Sequence, residues 1–184
     1  MRHASRVMCG LVTALVGALS ATAACRRTDK VSVEQTSPSA SVISIGVTLS
    51  SCEDIALCER ECDSGSADRC RSLAAAYAFG KGVDKDEARA TALYTRACDI
   101  DDAPSCVFAG QMHEYAHGVV QDYAAAARLY ERACNMHWAA GCYNSAIMVE
   151  NGRGVPKDLT RARELYGVAC GAGAKIACEK SSHL

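Results

Sequence analysis

The chain has 184 residues, room for one domain of about 130 residues behind a leader segment, and a formal net charge of −1. That near-neutral balance leaves no basic footprint for nucleic acid or for an anionic membrane surface. Only 5% of the residues are aromatic while twelve are cysteine, so a core of small side chains is expected to lean on sulfur bridges in an exported protein.

Residues 1–24 read as a signal peptide: Arg2 and Arg6 make a basic start, and Val7 to Ala24 carry no charge. The apolar run is short for a membrane span. Its end, Thr22-Ala23-Ala24-Cys25, resembles a bacterial lipobox, in which the leader is cut before a cysteine that receives lipid. The alternative is an ordinary leader cut after Ala23, with Cys25 a plain thiol. Loss of Cys9 with the leader leaves eleven cysteines, and lipid on Cys25 leaves an even ten, which favours lipidation. Residues 25–51 then form a lipid anchor and a flexible Ser/Thr-rich tether. The apolar Val42, Ile43, Ile45, Val47 and Leu49 interrupt that tether, suited either to a short strand or to covering an open end of the fold.

From Cys62 onward the chain repeats. Cys62/Cys70, Cys98/Cys106, Cys134/Cys142 and Cys170/Cys178 are pairs spaced by eight that recur every thirty-six residues. In the same register fall Gly82/Gly118/Gly154, Val83/Val119/Val155, Asp86/Asp122/Asp158, Ala90/Ala126/Ala162, Leu93/Leu129/Leu165, Tyr94/Tyr130/Tyr166 and Ala97/Ala133/Ala169. The last four columns and the following cysteine mark one stripe of an α-helix. Each unit is therefore predicted to be two helices: helix A from near its first cysteine to about Gly80, a Gly-Val turn, then an Asp-capped helix B ending at the second cysteine. Units span 70–105, 106–141 and 142–177, with a short tail at 178–184. Residues 52–69, where Leu57 and Cys62 fall in the helix B columns, are an N-terminal capping helix.

The stretches "AYAFGKGVDKDEARATALYTRACD" and "VENGRGVPKDLTRARELYGVAC" resemble the Sel-one-like repeat, a helix-turn-helix relative of the tetratricopeptide repeat. The paired cysteines are similar to those of its exported branch, the Helicobacter cysteine-rich protein family. The resemblance implies an all-α solenoid of helical hairpins. It departs at Asp102 and Trp138, which replace a small loop residue, and at Ala116, which replaces the turn glycine seen as Gly80 and Gly152. A disulfide at each eight-residue spacing is expected, because the two cysteines bracket a short loop between hairpins; a bridge within a unit, such as Cys70 to Cys98, is the geometric alternative. Cys52 and Cys58, six apart, can pair only if Cys52 precedes the helix.

Two enzymatic readings arise. His113-Glu114-Tyr115-Ala116-His117 spells the H-E-x-x-H zinc-protease signature. The repeat register opposes it, because His113 shares a column with Tyr77 and Val149, and His117 shares the turn column with Lys81 and Arg153. No metal, cofactor or catalytic residue is assigned. The second reading comes from the resemblance, since some cysteine-rich relatives are labelled β-lactamases. The chain has neither Ser-x-x-Lys nor Lys-Thr-Gly to support a hydrolase.

The favoured reading is a scaffold for protein or peptide partners at a bacterial cell envelope, held to a membrane by lipid on Cys25. If Leu73, Ala74 and Tyr77 pack on helix B, the other face of helix A carries Phe79, then Gln111 and Tyr115, then Tyr143 and Asn151 as a candidate ligand groove. The competing reading is that these side chains only complete packing between repeats.

Overall fold

A computed structural model describes residues 52–184; the leader, Cys25 and the tether lie outside the described residues. Eight helices follow one another: α1 (Ile55–Asp63), α2 (Ala67–Phe79), α3 (Glu87–Asp99), α4 (Ala103–Tyr115), α5 (Tyr123–Asn135), α6 (Ala139–Asn151), α7 (Leu159–Gly171) and α8 (Lys175–His183). Consecutive helices pack on one another along the whole series, so the architecture is a solenoid of helical hairpins: α2/α3, α4/α5 and α6/α7 between the half-units α1 and α8. Among the described residues there is no strand.

The B helices and α4 start at capping aspartates. Asp86, Asp122 and Asp158 hold extended backbone and accept the N–H of Arg89 (2.9 Å), Ala125 (2.8 Å) and Arg161 (2.9 Å), donors that α3, α5 and α7 cannot satisfy internally. The N–H groups of these same aspartates reach back to the carbonyls of Tyr77, His113 and Val149, which closes each hairpin. Helix A begins three residues earlier than the cysteine spacing suggests, at Ala67, Ala103 and Ala139. Cysteine carries no start signal, whereas Asp102 caps α4 through the N–H of Ser105 (2.9 Å) and Pro104 suits the first turn, which lacks partners for its N–H groups. Residues 178–184, expected as a tail, continue in α8 as far as His183.

Each helix A ends in a left-handed residue: Gly80, Ala116 and Gly152, with φ of 66°, 61° and 69°. For Ala116 the Cβ makes that conformation costly. The second turn glycine serves a different need. A Cβ on Gly118 would stand 2.2 Å from the backbone of Glu87 and Ala88, and one on Gly154 would stand 2.3 Å from the backbone of Tyr123, whereas Gly82 would meet only Ile55 Cδ1 at 4.0 Å. The turn of each later unit is thus pressed against the start of the preceding helix B, and Thr91 Oγ1 reinforces this contact by donating to the His117 carbonyl (3.0 Å).

Five disulfides run through the described chain: Cys52–Cys58, Cys62–Cys70, Cys98–Cys106, Cys134–Cys142 and Cys170–Cys178. The last four tie the end of one helix B to the first turn of the next helix A, with Cα–Cα separations of 4.3–4.7 Å; the alternative Cys70–Cys98 bridge is not formed. Closing a loop of this size removes denatured-state entropy worth roughly 2–3 kcal/mol per bridge. Cys52 lies outside the helix, as pairing across six residues requires.

Three outcomes follow for the turns. Gly118→Ala should cost about 3 kcal/mol or more, because backbone must move, while Gly82→Ala should cost about 1 kcal/mol for its left-handed backbone alone. Ala116→Gly should raise stability by about 0.5–1 kcal/mol. Thermal and chemical unfolding with all disulfides intact would measure all three.

Candidate functional site

The H-E-x-x-H segment lies across the end of α4, and the helix stops between its two histidines. Ala116 turns left-handed, so His117 leaves the helical face that carries His113. His117 Nδ1 lies 3.7 Å from Glu87 Oε1, on the preceding unit, and the His113 carbonyl belongs to the repeating hairpin bond. Glu114 is only 7% exposed. Its carboxyl group accepts from Tyr130 Oη (2.7 Å) and faces Arg153 Nη1 (3.5 Å), so it has no free edge with which to activate water. Among the described residues no group of three His, Cys, Asp or Glu side chains is placed to hold a metal ion.

That arrangement recurs. Tyr166 Oη donates to Glu150 Oε2 (2.5 Å), thirty-six residues on from Tyr130 and Glu114. In the first unit the corresponding residue is Ala78, and Tyr94 packs its ring on Phe108 (centroids 5.0 Å) instead. Burial pushes Tyr94 up to about 12. Burial and the hydrogen-bonded carboxyl group raise Tyr130 and Tyr166 further in the same direction. A second recurring element is ionic: Arg96 pairs with Asp63 (2.6 Å) and Arg132 with Asp99 (2.9 Å), linking successive B helices. Arg71 bonds both Asp68 (2.5 Å) and the capping Asp102. Both ion pairs between B helices and the Tyr–Glu bonds stand in thirty-six-residue columns, the signal by which the sequence could have revealed them.

The candidate groove divides in two. At the N-terminal side of the helix A face, side chains are engaged: Val107 is buried, and Tyr143 packs on Tyr166 (centroids 5.6 Å). Gln111 is half-buried. At the C-terminal side they are open. Phe79 is 70% exposed and Tyr115 is 59% exposed, while Asn151 is exposed with its amide donating to the Ile147 carbonyl (2.8 Å). Each is the final residue of its helix, so the three stand at equivalent places in successive units. Lys81 Nζ lies 5.7 Å from the Phe79 ring centroid, and the His117 ring lies 6.3 Å from that of Tyr115. Trp138 occupies the position before α6, makes no side-chain cap and is 44% exposed.

The buried pair gives a test. Tyr130→Phe removes the hydroxyl from a buried carboxyl group and should cost about 1–3 kcal/mol, whereas Tyr94→Phe, in the unit where Ala78 stands in the glutamate column, should change stability by about 0.5 kcal/mol or less. Because the folded state raises the Tyr130 pKa, its contribution is fully present below pH 10 and is lost as pH rises. Urea unfolding from pH 7 to 11 should therefore show a smaller alkaline loss for Tyr130→Phe than for the parent chain.

Comparison with known proteins agrees with this architecture. The family model described as Sel1 repeat matches residues 70–102, 103–137 and 139–173, together more than half of the chain. No curated protein matches the sequence. Among solved structures the chain is similar to a protective antigen of uropathogenic Escherichia coli displaying an SLR fold, at 26% identity and a TM-score of 0.68. That match covers 70% of this chain but 28% of the antigen, so the chain spans just over a quarter of its length. A Sel1 repeat protein from Oxalobacter formigenes shares the fold at 24% identity and a TM-score of 0.65, covering 71% of this chain and 98% of that one. Helicobacter pylori cysteine rich protein B matches at 25% identity and a TM-score of 0.55, covering 68% and 90%. With three matched repeats and the hairpins to go with them, the chain belongs to the Sel1 repeat family.

Proposed function

We propose that this protein is an exported scaffold of the bacterial cell envelope that holds a protein or peptide partner along the C-terminal ends of α2, α4 and α6. One observation carries the reading: Phe79 and Tyr115 stand open at equivalent positions of successive units. Large exposed aromatics repeated along one edge of a solenoid offer apolar contact area at low entropic cost. Five disulfides support an oxidising compartment, and the fold-level likeness to the Helicobacter pylori protein supports kinship with the exported cysteine-rich branch.

Attachment to a membrane, in this reading, comes from lipid on Cys25, which lies outside the described residues. No described helix is long and apolar enough to cross a membrane. The zinc-protease reading draws no support from the H-E-x-x-H segment, whose glutamate is held by Tyr130 and faces Arg153; the β-lactamase alternative rests on the family resemblance alone.

The test is capture of partners from envelope extract on the immobilised protein, repeated with Phe79→Ser/Tyr115→Ser. Both side chains are exposed, so the melting temperature should hold while each captured partner is lost by about tenfold or more, the loss of two aromatic contacts. Undiminished capture by the double variant would sink the groove. Turnover of a chromogenic β-lactam by the parent protein would replace the scaffold reading with the hydrolase.

A further inference from the structure

The five bridges are not equally enclosed. In Cys62–Cys70, Cys98–Cys106 and Cys134–Cys142 both cysteines are buried, and in Cys52–Cys58 one of them is. Cys170–Cys178 is the exception among the described residues: Cys170 is half-buried and Cys178 is exposed. Exchange requires a thiolate to reach a disulfide sulfur, so access ranks the bridges before any difference in chemistry does.

Packing points the same way. Helices α2 to α7 each lie between two neighbours, whereas α8 packs chiefly on α7. Ala177 is its only buried residue. Its remaining ties are slight: Ser181 Oγ donates to the Arg163 carbonyl (3.4 Å), Lys180 Nζ lies 3.9 Å from Glu150 Oε1, and Leu184 is partly buried against the third core cluster. A nine-residue helix with so little burial opens locally at far lower cost than the stack as a whole.

We infer that Cys170–Cys178 is a thiol–disulfide exchange site for small thiols or a dithiol reductant. The incoming thiolate attacks Cys178 Sγ, forms a mixed disulfide there, and the breaking bond leaves its electron pair on Cys170 Sγ, which takes up a proton. A second thiol then attacks the mixed disulfide. One protein disulfide becomes two thiols as two reductant thiols become one disulfide. The step frees α8 from α7 and leaves the three buried bridges closed, so the repeats themselves stay folded.

Glutathione and dithiothreitol titrations of the full native chain, quenched with iodoacetamide and mapped by peptide mass, test this. Cys170 and Cys178 should be alkylated about tenfold faster than the three buried pairs, as local opening outpaces global opening. With glutathione alone, the transient adduct should sit on Cys178. Cys170→Ser/Cys178→Ser should keep the other four bridges and lose the fast phase. Labelling of Cys52–Cys58 first, simultaneous labelling of all five pairs, an adduct confined to Cys170, or a fast phase that survives in the double variant would each overturn the assignment.

Discussion

The bridge between the last turn of one helix B and the first turn of the next helix A is the constraint on which the stack depends. The core around it is lean: Ala90, Ala97, Ala109, Ala126, Ala133, Ala146, Ala162 and Ala169 are all fully buried, and each contributes little area. Small side chains let helices approach closely but leave little hydrophobic gain per residue to offset chain entropy. The inter-unit turn adds a cost, because one residue in each must be left-handed. Gly65 and Gly173 meet that demand at the ends of the series, but Asp101 and His137 meet it inside, with φ of 64° and 59°. Each of those two carries a penalty of about 1–2 kcal/mol, and a bridge worth roughly 2–3 kcal/mol across the same turn offsets it.

Much of this was legible because the repeat exposes its own columns. The Asp caps, the Gly-Val turns and the Ala-Leu-Tyr stripe needed only alignment at thirty-six residues. The Tyr130–Glu114 and Tyr166–Glu150 bonds were harder to see, since they join helix B to helix A sixteen residues away, a distance that no helical periodicity encodes. The H-E-x-x-H segment shows the same limit from the other side. As a string it names a zinc site, yet the fold buries its glutamate against Tyr130 and places its second histidine in a turn. Asp102, which looked like a departure from the repeat, turned out to be the cap of α4 and a partner of Arg71.

The first and last described helices differ from those between them. Both α1 and α8 have nine residues against thirteen for each helix between them. At the N-terminal end Cys58 stands in the column of Tyr94, packs with Leu73, Ala74 and Tyr77, and is tied to Cys52, so sulfur takes the volume an aromatic ring holds elsewhere. At the C-terminal end Ser181 falls in the column of Leu73, Ala109 and Ser145, and its hydroxyl donates back to the Arg163 carbonyl (3.4 Å).

This asymmetry separates stability from binding. The aromatic positions Phe79 and Tyr115 lie on α2 and α4, inside the part of the stack held by buried bridges. The column loses its aromatic character at Asn151 on α6, and the accessible bridge lies beyond it, between α7 and α8. Because α8 rests chiefly on α7, its release removes no support from the helices that present Phe79 and Tyr115. In that inference a reducing episode acts on the far end of the scaffold, away from Phe79 and Tyr115, and reaches the proposed surface only at α6, where Lys180 faces Glu150 (3.9 Å).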